Sequence, residues 1–214
     1  MAKDSIIIAE DYDGVYVDDV EVAFKNLLRT EGQKNPLLQT MHFDGFKELG
    51  YQLFKSKALL HFVLGHLPTG LAPRPEALEI FNAANGSDVE FVLLTSNPKL
   101  DPVTFERESE RSGIRVHAVY VRNPMDKGMI LDAMSEGKKL LFEDDPTVAQ
   151  KAASYKNVEV GIVRESYNSI GSRLVSANPR IHRLGNWSEA ISLAQNFVQS
   201  NLNAQQSQKA KSFA

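Results

Sequence analysis

The chain has 214 residues, no cysteine, and a net charge of −3 from 24 basic and 27 acidic side chains. This excludes a disulfide framework and thiolate zinc sites, and it offers no basic footprint for nucleic acid. With 43% hydrophobic and 24% charged residues the chain is globular rather than disordered, and no apolar run approaches the roughly 18 residues of a membrane span.

The first apolar run, Ile6 to Ala9, is too short for the core of a secretory signal, so folding in the cytoplasm is expected. The same run predicts a buried strand. Asp11-Tyr12-Asp13-Gly14-Val15 follows it directly. Two carboxylates two residues apart at a strand end read as an Asx turn or as a reactive pair. In the second case one is a nucleophile and the other a general acid/base, with a hard cation offsetting the crowded charge.

From about 16 to 72 no strand is evident. Val20 to Arg29 and Phe43 to Leu64 carry apolar residues at helical spacing, and Pro36, Pro68, Gly70 and Pro73 punctuate the stretch. A helical insertion between the first and second strands is expected. It is rich in aromatics and histidines: His42, Phe43, Phe46, Tyr51, Phe54, His61, Phe62 and His66. Such spacing serves a helical mini-core, or lines an entrance where an aromatic leaving group could stack. The three histidines share no metal-ligand spacing.

Alternation follows. A helix at Pro75 to Ala84 leads to a strand at Val89 to Leu94, which ends in Thr95-Ser96-Asn97. Hydroxyls and backbone amides there can hold a phosphate oxygen, though such residues are also common after strands. A helix at Pro102 to Ser112 and a strand at Val116 to Val121 precede Lys127, which opens a helix to Ser135. Alone it is a solvated charge; pointed into a site it would neutralise a phosphate and a carboxylate together. The strand Leu140 to Phe142 ends in Glu143-Asp144-Asp145-Pro146. Capping the helix Pro146 to Ala153 needs one acid, and a divalent cation would explain the surplus. A strand at Val158 to Val163 follows, then a last helix from the capping-box-like Asn186 and Glu189 to Val198. The polar stretch 201–214 reads as a disordered end or linker. Strand–helix alternation of this kind predicts an α/β fold, a Rossmann-like parallel sheet with helices on both faces, and ligands at the carboxyl ends of its strands.

The order of these signals resembles the haloacid dehalogenase (HAD) superfamily, in particular its phosphatases, over about residues 5 to 165. The resemblance implies a HAD-like core at 1–15 and 73–200 with a small helical cap inserted at 16–72. It also implies Mg²⁺-dependent hydrolysis of a phosphomonoester through an aspartyl phosphate. Asp11 matches the nucleophile. Asp13 matches the general acid/base, its carbonyl also binding the metal; an aspartate there argues for phosphatase over dehalogenase. Thr95 matches the phosphate-binding hydroxyl, with Ser96 as the fallback, and Lys127 matches the third-motif lysine. Asp144 matches the acidic metal ligand, with Asp145 as a second ligand or an orienter of water. Glu10 and Glu143 depart from the apolar residues or glycine usual at those places and add local negative charge. Val15 replaces a common threonine. The small cap and polar tail look similar to HAD-type phosphotyrosine phosphatases used as bacterial effectors. That likeness implies a phosphorylated protein as substrate and export into a host cell. A small sugar or nucleotide phosphate is the alternative substrate, and a catalytically silent HAD-fold binding module is the alternative of another class.

Overall fold

A computed structural model describes residues 4–12, 15, 16, 73–86, 88–96, 113, 115–163, 173, 175 and 177–212. The elements run β1 (Ile6–Asp11), α1 (Pro75–Ala83), β2 (Val89–Thr95), β3 (Val116–Tyr120), a short 3-10 turn (Pro124–Asp126), α2 (Lys127–Met134), β4 (Lys139–Glu143), α3 (Pro146–Ala152), β5 (Val158–Val163), β6 (Ile181–Leu184) and α4 (Trp187–Ser212). The strands form one sheet in the order β3-β2-β1-β4-β5-β6, every pair parallel. This is the doubly wound Rossmann-like order, whose direction of winding reverses between β1 and β4.

Every residue of β1 and of β4 is buried, which explains why both read as continuous apolar runs rather than alternating ones. Side chains still alternate between the two faces. Ile6 and Ile8 pack with Phe81, Phe91, Phe142 and Phe197 under α1 and α4. Ile7 and Ala9 pack with Leu94, Leu131, Leu141 and Ala152 under α2 and α3. Phe81 is fully buried, its ring centroid 4.8 Å from that of Phe91; burial of this kind contributes about 1.5–3 kcal/mol per large side chain. Pro75 and Pro146 occupy first-turn positions, where a missing N–H costs nothing.

The five expected strands and the helices opening at Pro75, Lys127, Pro146 and the Asn186 cap are all present. The expected helix at 102–112 and the inserted segment at 17–72 lie outside the described residues. A sixth strand, Ile181–Leu184, escaped the sequence reading because polar contacts hold it in place. His182 Nε2 lies 3.0 Å from Glu159 Oε2 on β5, Arg180 donates to the Tyr155 carbonyl at 2.7 Å, and Arg183 donates to the Val175 carbonyl.

The disordered end or linker expected from residue 201 is corrected: α4 continues to Ser212. Its cap is the expected one, with Asn186 Oδ1 accepting from Glu189 N at 3.0 Å and Glu189 Oε2 from Gly185 N at 2.7 Å. Beyond Val198 the sequence contains no glycine or proline, and Gln, Ala and Lys are good helix formers. Leu202 packs against the core, and Gln205 donates to the Asp4 carbonyl at 2.9 Å, so the polar helix remains tied to the sheet. Among the described residues, no helix is long and apolar enough to cross a membrane.

Candidate active site

The carboxyl ends of β1 and β4 lie side by side, with Glu10 level with Phe142 and, on the other side, Asp11 level with Leu94 of β2. This is the crevice where the winding reverses. Asp11 closes β1 and Glu143 closes β4; Asp144 follows in the turn, and all three are at least nine-tenths buried. One oxygen from each lies within 4.8 Å of the others.

Lys127 reaches this cluster from the first residue of α2. Asn123 sets the approach: its side chain accepts from Met125 N at 3.2 Å and caps the 3-10 turn that precedes the helix. The Lys127 ammonium lies 2.6 Å from Asp11 Oδ2 and 2.9 Å from Glu143 Oε2, with the lysine side chain 3% exposed. Burial alone would lower its pKa. The charges of Asp11 and Glu143 and their hydrogen bonds outweigh that and hold the pKa above the ordinary lysine range. For Glu143 burial acts upward, and Lys127 with the hydrogen bonds to the carboxylate brings the pKa below the usual value.

Gly128 lets α2 come this close. A Cβ at that position would stand 2.5 Å from Ala152 Cα and 2.8 Å from Tyr155 Cδ2. At the far end of α2, the ammonium of Lys139 donates to the carbonyls of Asp132 and Ser135 at 3.3 and 2.5 Å. It satisfies carbonyls that the helix end leaves open.

The structure thus brings Asp11, Lys127 and Asp144 together. Thr95 is the last residue of β2 and is buried. Strand alternation gives it the face opposite Leu94, the residue level with Asp11. Ser96, next along the chain, has a buried Oγ with no hydrogen-bond partner among the described residues. Asp13 lies outside the described residues. Asp145 serves as the α3 cap, its Oδ1 accepting from Thr147 N at 2.6 Å and Val148 N at 3.3 Å.

Two acids behave otherwise than their sequence positions suggest. Glu10 does not add charge to this site: it shares the face of Ile6 and Ile8, is fully buried, and both its carboxyl oxygens lack a hydrogen-bond partner among the described residues. Burial drives its pKa well above the usual carboxylate value, which favours the neutral acid. Glu143, read as surplus charge, is the partner of Lys127. The run of three acids that begins at the last residue of β4 was its only signal.

Asp11, Glu143 and Asp144 against one lysine leave two negative charges in excess (three minus one). Buried oxygen donors with such an excess fit a hard divalent cation such as Mg²⁺.

No family model matches the chain, and no curated protein sequence is similar to it. Solved structures are. A protein from Burkholderia xenovorans LB400 described as a haloacid dehalogenase-like hydrolase superposes with a TM-score of 0.52 at 15% identity, over 89% of this chain and 96% of that one. A D,D-heptose 1,7-bisphosphate phosphatase from Burkholderia thailandensis gives 0.50 at 11% identity, over 90% and 97%. A Bacteroides vulgatus protein described as a beta-phosphoglucomutase gives 0.52 at 12% identity, over 91% of each chain. The fold is that of the HAD-like hydrolases.

Proposed function

We propose that this chain is a Mg²⁺-dependent phosphomonoester hydrolase working through an aspartyl phosphate on Asp11. The observation that carries the reading is the buried Asp11–Lys127 contact of 2.6 Å at the crevice between β1 and β4, with Asp144 in the same oxygen cluster. A carboxylate there can attack phosphorus in line while an adjacent ammonium offsets the charge of the phosphoryl oxygens.

In this reading, a carboxylate oxygen of Asp11 bonds to phosphorus as the bond to the leaving oxygen breaks. Asp13 gives that oxygen its proton. Asp13 then takes a proton from water, whose oxygen attacks phosphorus and releases Asp11 and inorganic phosphate. Lys127 holds a phosphoryl oxygen throughout, and the Thr95 hydroxyl, with that of Ser96 as the fallback, donates to another. Asp11, Asp144 and the Asp13 carbonyl would hold Mg²⁺, which would supply shielding of the repulsion between carboxylate and phosphate. Asp145 acts from the α3 cap, as a second ligand or an orienter of water.

The segment 16–72 is proposed as a small cap on a core of 1–15 and 73–200. Its aromatic content favours an aryl phosphate, phosphotyrosine on a protein, over other substrates. The structural likeness to a heptose bisphosphate phosphatase supports the second reading, a small sugar or nucleotide phosphate.

The test is hydrolysis of p-nitrophenyl phosphate with and without Mg²⁺, then comparison of phosphotyrosine peptides, phosphoserine peptides and hexose phosphates. Asp11→Asn should abolish turnover and keep the fold. Substantial Mg²⁺-dependent activity in that variant would refute the covalent route, and an inactive wild-type protein would favour a silent binding module. A metabolite winning by an order of magnitude would refute the phosphotyrosine preference.

A further inference from the structure

Glu143 stands where two parts of the site meet. Its Oε2 accepts from the Lys127 ammonium at 2.9 Å, and its Oε1 accepts from the backbone N–H of Asp144 at 3.2 Å and of Asp145 at 3.1 Å. The side chain is fully buried. Geometry alone makes it one of three acids able to share a cation with Asp11 and Asp144. Its hydrogen bonds indicate a different use, because both oxygens already hold donors, one of them charged.

We propose that Glu143 is a positioning residue that anchors Lys127 for the phosphoryl group and fixes the turn carrying Asp144, rather than a ligand of the metal. The inference rests on the phosphatase reading above. Lys127 has three N–H donors. Asp11 and Glu143 take one each from the neighbouring strands β1 and β4, so the third is held in one direction, toward a phosphoryl oxygen. Without the charge of Glu143, the ammonium collapses onto Asp11, its remaining charged partner. It then ties up the nucleophile and turns away from phosphate. The two backbone donors make the same side chain a brace for the β4–α3 turn, so lysine and metal ligand are set by one group.

The two roles predict opposite signs. Glu143 is an anion, so if it acts through its charge alone, Glu143→Gln removes repulsion and inorganic phosphate binds more tightly. If it acts through Lys127, phosphate binds more weakly despite the lost repulsion. Supporting partners of this kind typically cost about 10- to 100-fold in affinity or activity when replaced. Calorimetry with inorganic phosphate at saturating Mg²⁺ should show a dissociation constant raised about tenfold in Glu143→Gln. The Mg²⁺ dissociation constant measured without phosphate should rise by less than that. The apparent dissociation constant equals the intrinsic one divided by the folded fraction, so loss of stability does not move it while the variant remains folded. In the Lys127→Met background, Glu143→Gln should no longer weaken phosphate, because only the lost repulsion remains. Glu143→Asp keeps the charge and shortens the reach, and should weaken phosphate in the same direction if the Gln variant does not fold.

Tighter or unchanged phosphate binding in both Glu143 variants, equal losses with and without Lys127, or a Mg²⁺ constant raised tenfold or more would each overturn the proposal while wild-type turnover stands. Wild-type protein that hydrolyses no phosphomonoester would overturn the phosphatase reading and this proposal with it.

Discussion

Gly128→Ala tests whether the approach of α2 to α3 sets the position of Lys127. The new methyl carbon would lie 2.5 Å from Ala152 Cα and 2.8 Å from Tyr155 Cδ2, where carbon atoms rest at about 3.5–4.0 Å. The first of these is backbone, so it cannot swing aside. One helix must retreat by about 1 Å. Overpacking of this kind costs about 1–3 kcal/mol, and the better helix propensity of alanine returns at most about 1 kcal/mol. The expected net loss is up to about 2 kcal/mol, or up to about 8 °C in Tm for a chain of this size. The larger effect falls on the site. Lys127 is the neighbouring residue, and its contacts of 2.6 and 2.9 Å would lengthen past hydrogen-bond range with a 1 Å retreat. Misplacement of that size costs about 100-fold in turnover. Urea unfolding and p-nitrophenyl phosphate kinetics measure the two effects. Met129→Ala, an exposed position one residue further along α2, is the control and should stay within about 0.5 kcal/mol of wild type. A Gly128→Ala protein as stable and as active as wild type would refute the argument.

Glu10→Gln should change stability little below pH 4.5, where the carboxyl is neutral in both folded and unfolded chains. Above pH 4.5 the unfolded chain ionises while the buried acid stays protonated. Wild type therefore loses about 1.4 kcal/mol per pH unit relative to the variant until the raised folded pKa is reached. Urea midpoints across pH 4 to 8 check this, and a constant difference over that range would contradict the burial of a neutral Glu10. Asp145→Ala should cost about 0.5–2 kcal/mol through loss of the α3 cap, whereas Asp145→Asn keeps the cap and should leave stability near wild type. Mg²⁺ half-saturation in the Asn variant separates capping from a role at the metal, since only the second predicts weaker binding.

Much of the sheet was legible because apolar runs buried on both faces need no alternation to be recognised: Ile6 to Ala9 and Leu140 to Phe142 are unmistakable as strands. β6 was not legible, since Ile181-His182-Arg183-Leu184 lies at the sheet edge and depends on the Glu159 side chain and the backbone carbonyls of Tyr155 and Val175, which proximity in sequence does not reveal. The extension of α4 past 201 was missed because a polar, small-residue segment looks like a linker when the contacts of Leu202 and Gln205 are unknown. Within the site, strand ends placed Asp11 and Asp144 on one rim, whereas Lys127 opens a helix and was joined to them only by the family resemblance. The opposite destinations of two adjacent acids, Glu10 and Asp11, follow only from the two-residue period of β1. The pairing of Glu143 with Lys127 needs the depth of α2 against the sheet, which no spacing encodes.

The strand order has a consequence for the growing chain. β1 is made first and needs a neighbour on each side: β2 completes one edge once residue 95 exists, but β4 completes the other only after residue 143. During the interval the strand Ile6 to Asp11 presents an unpaired edge of isoleucines, the kind of surface on which chains associate wrongly. The same interval leaves Glu10 and Asp11 hydrated and charged at its end, and charge beside an apolar strand discourages intermolecular pairing. A carboxyl that is a burden inside the finished core is a guard outside it.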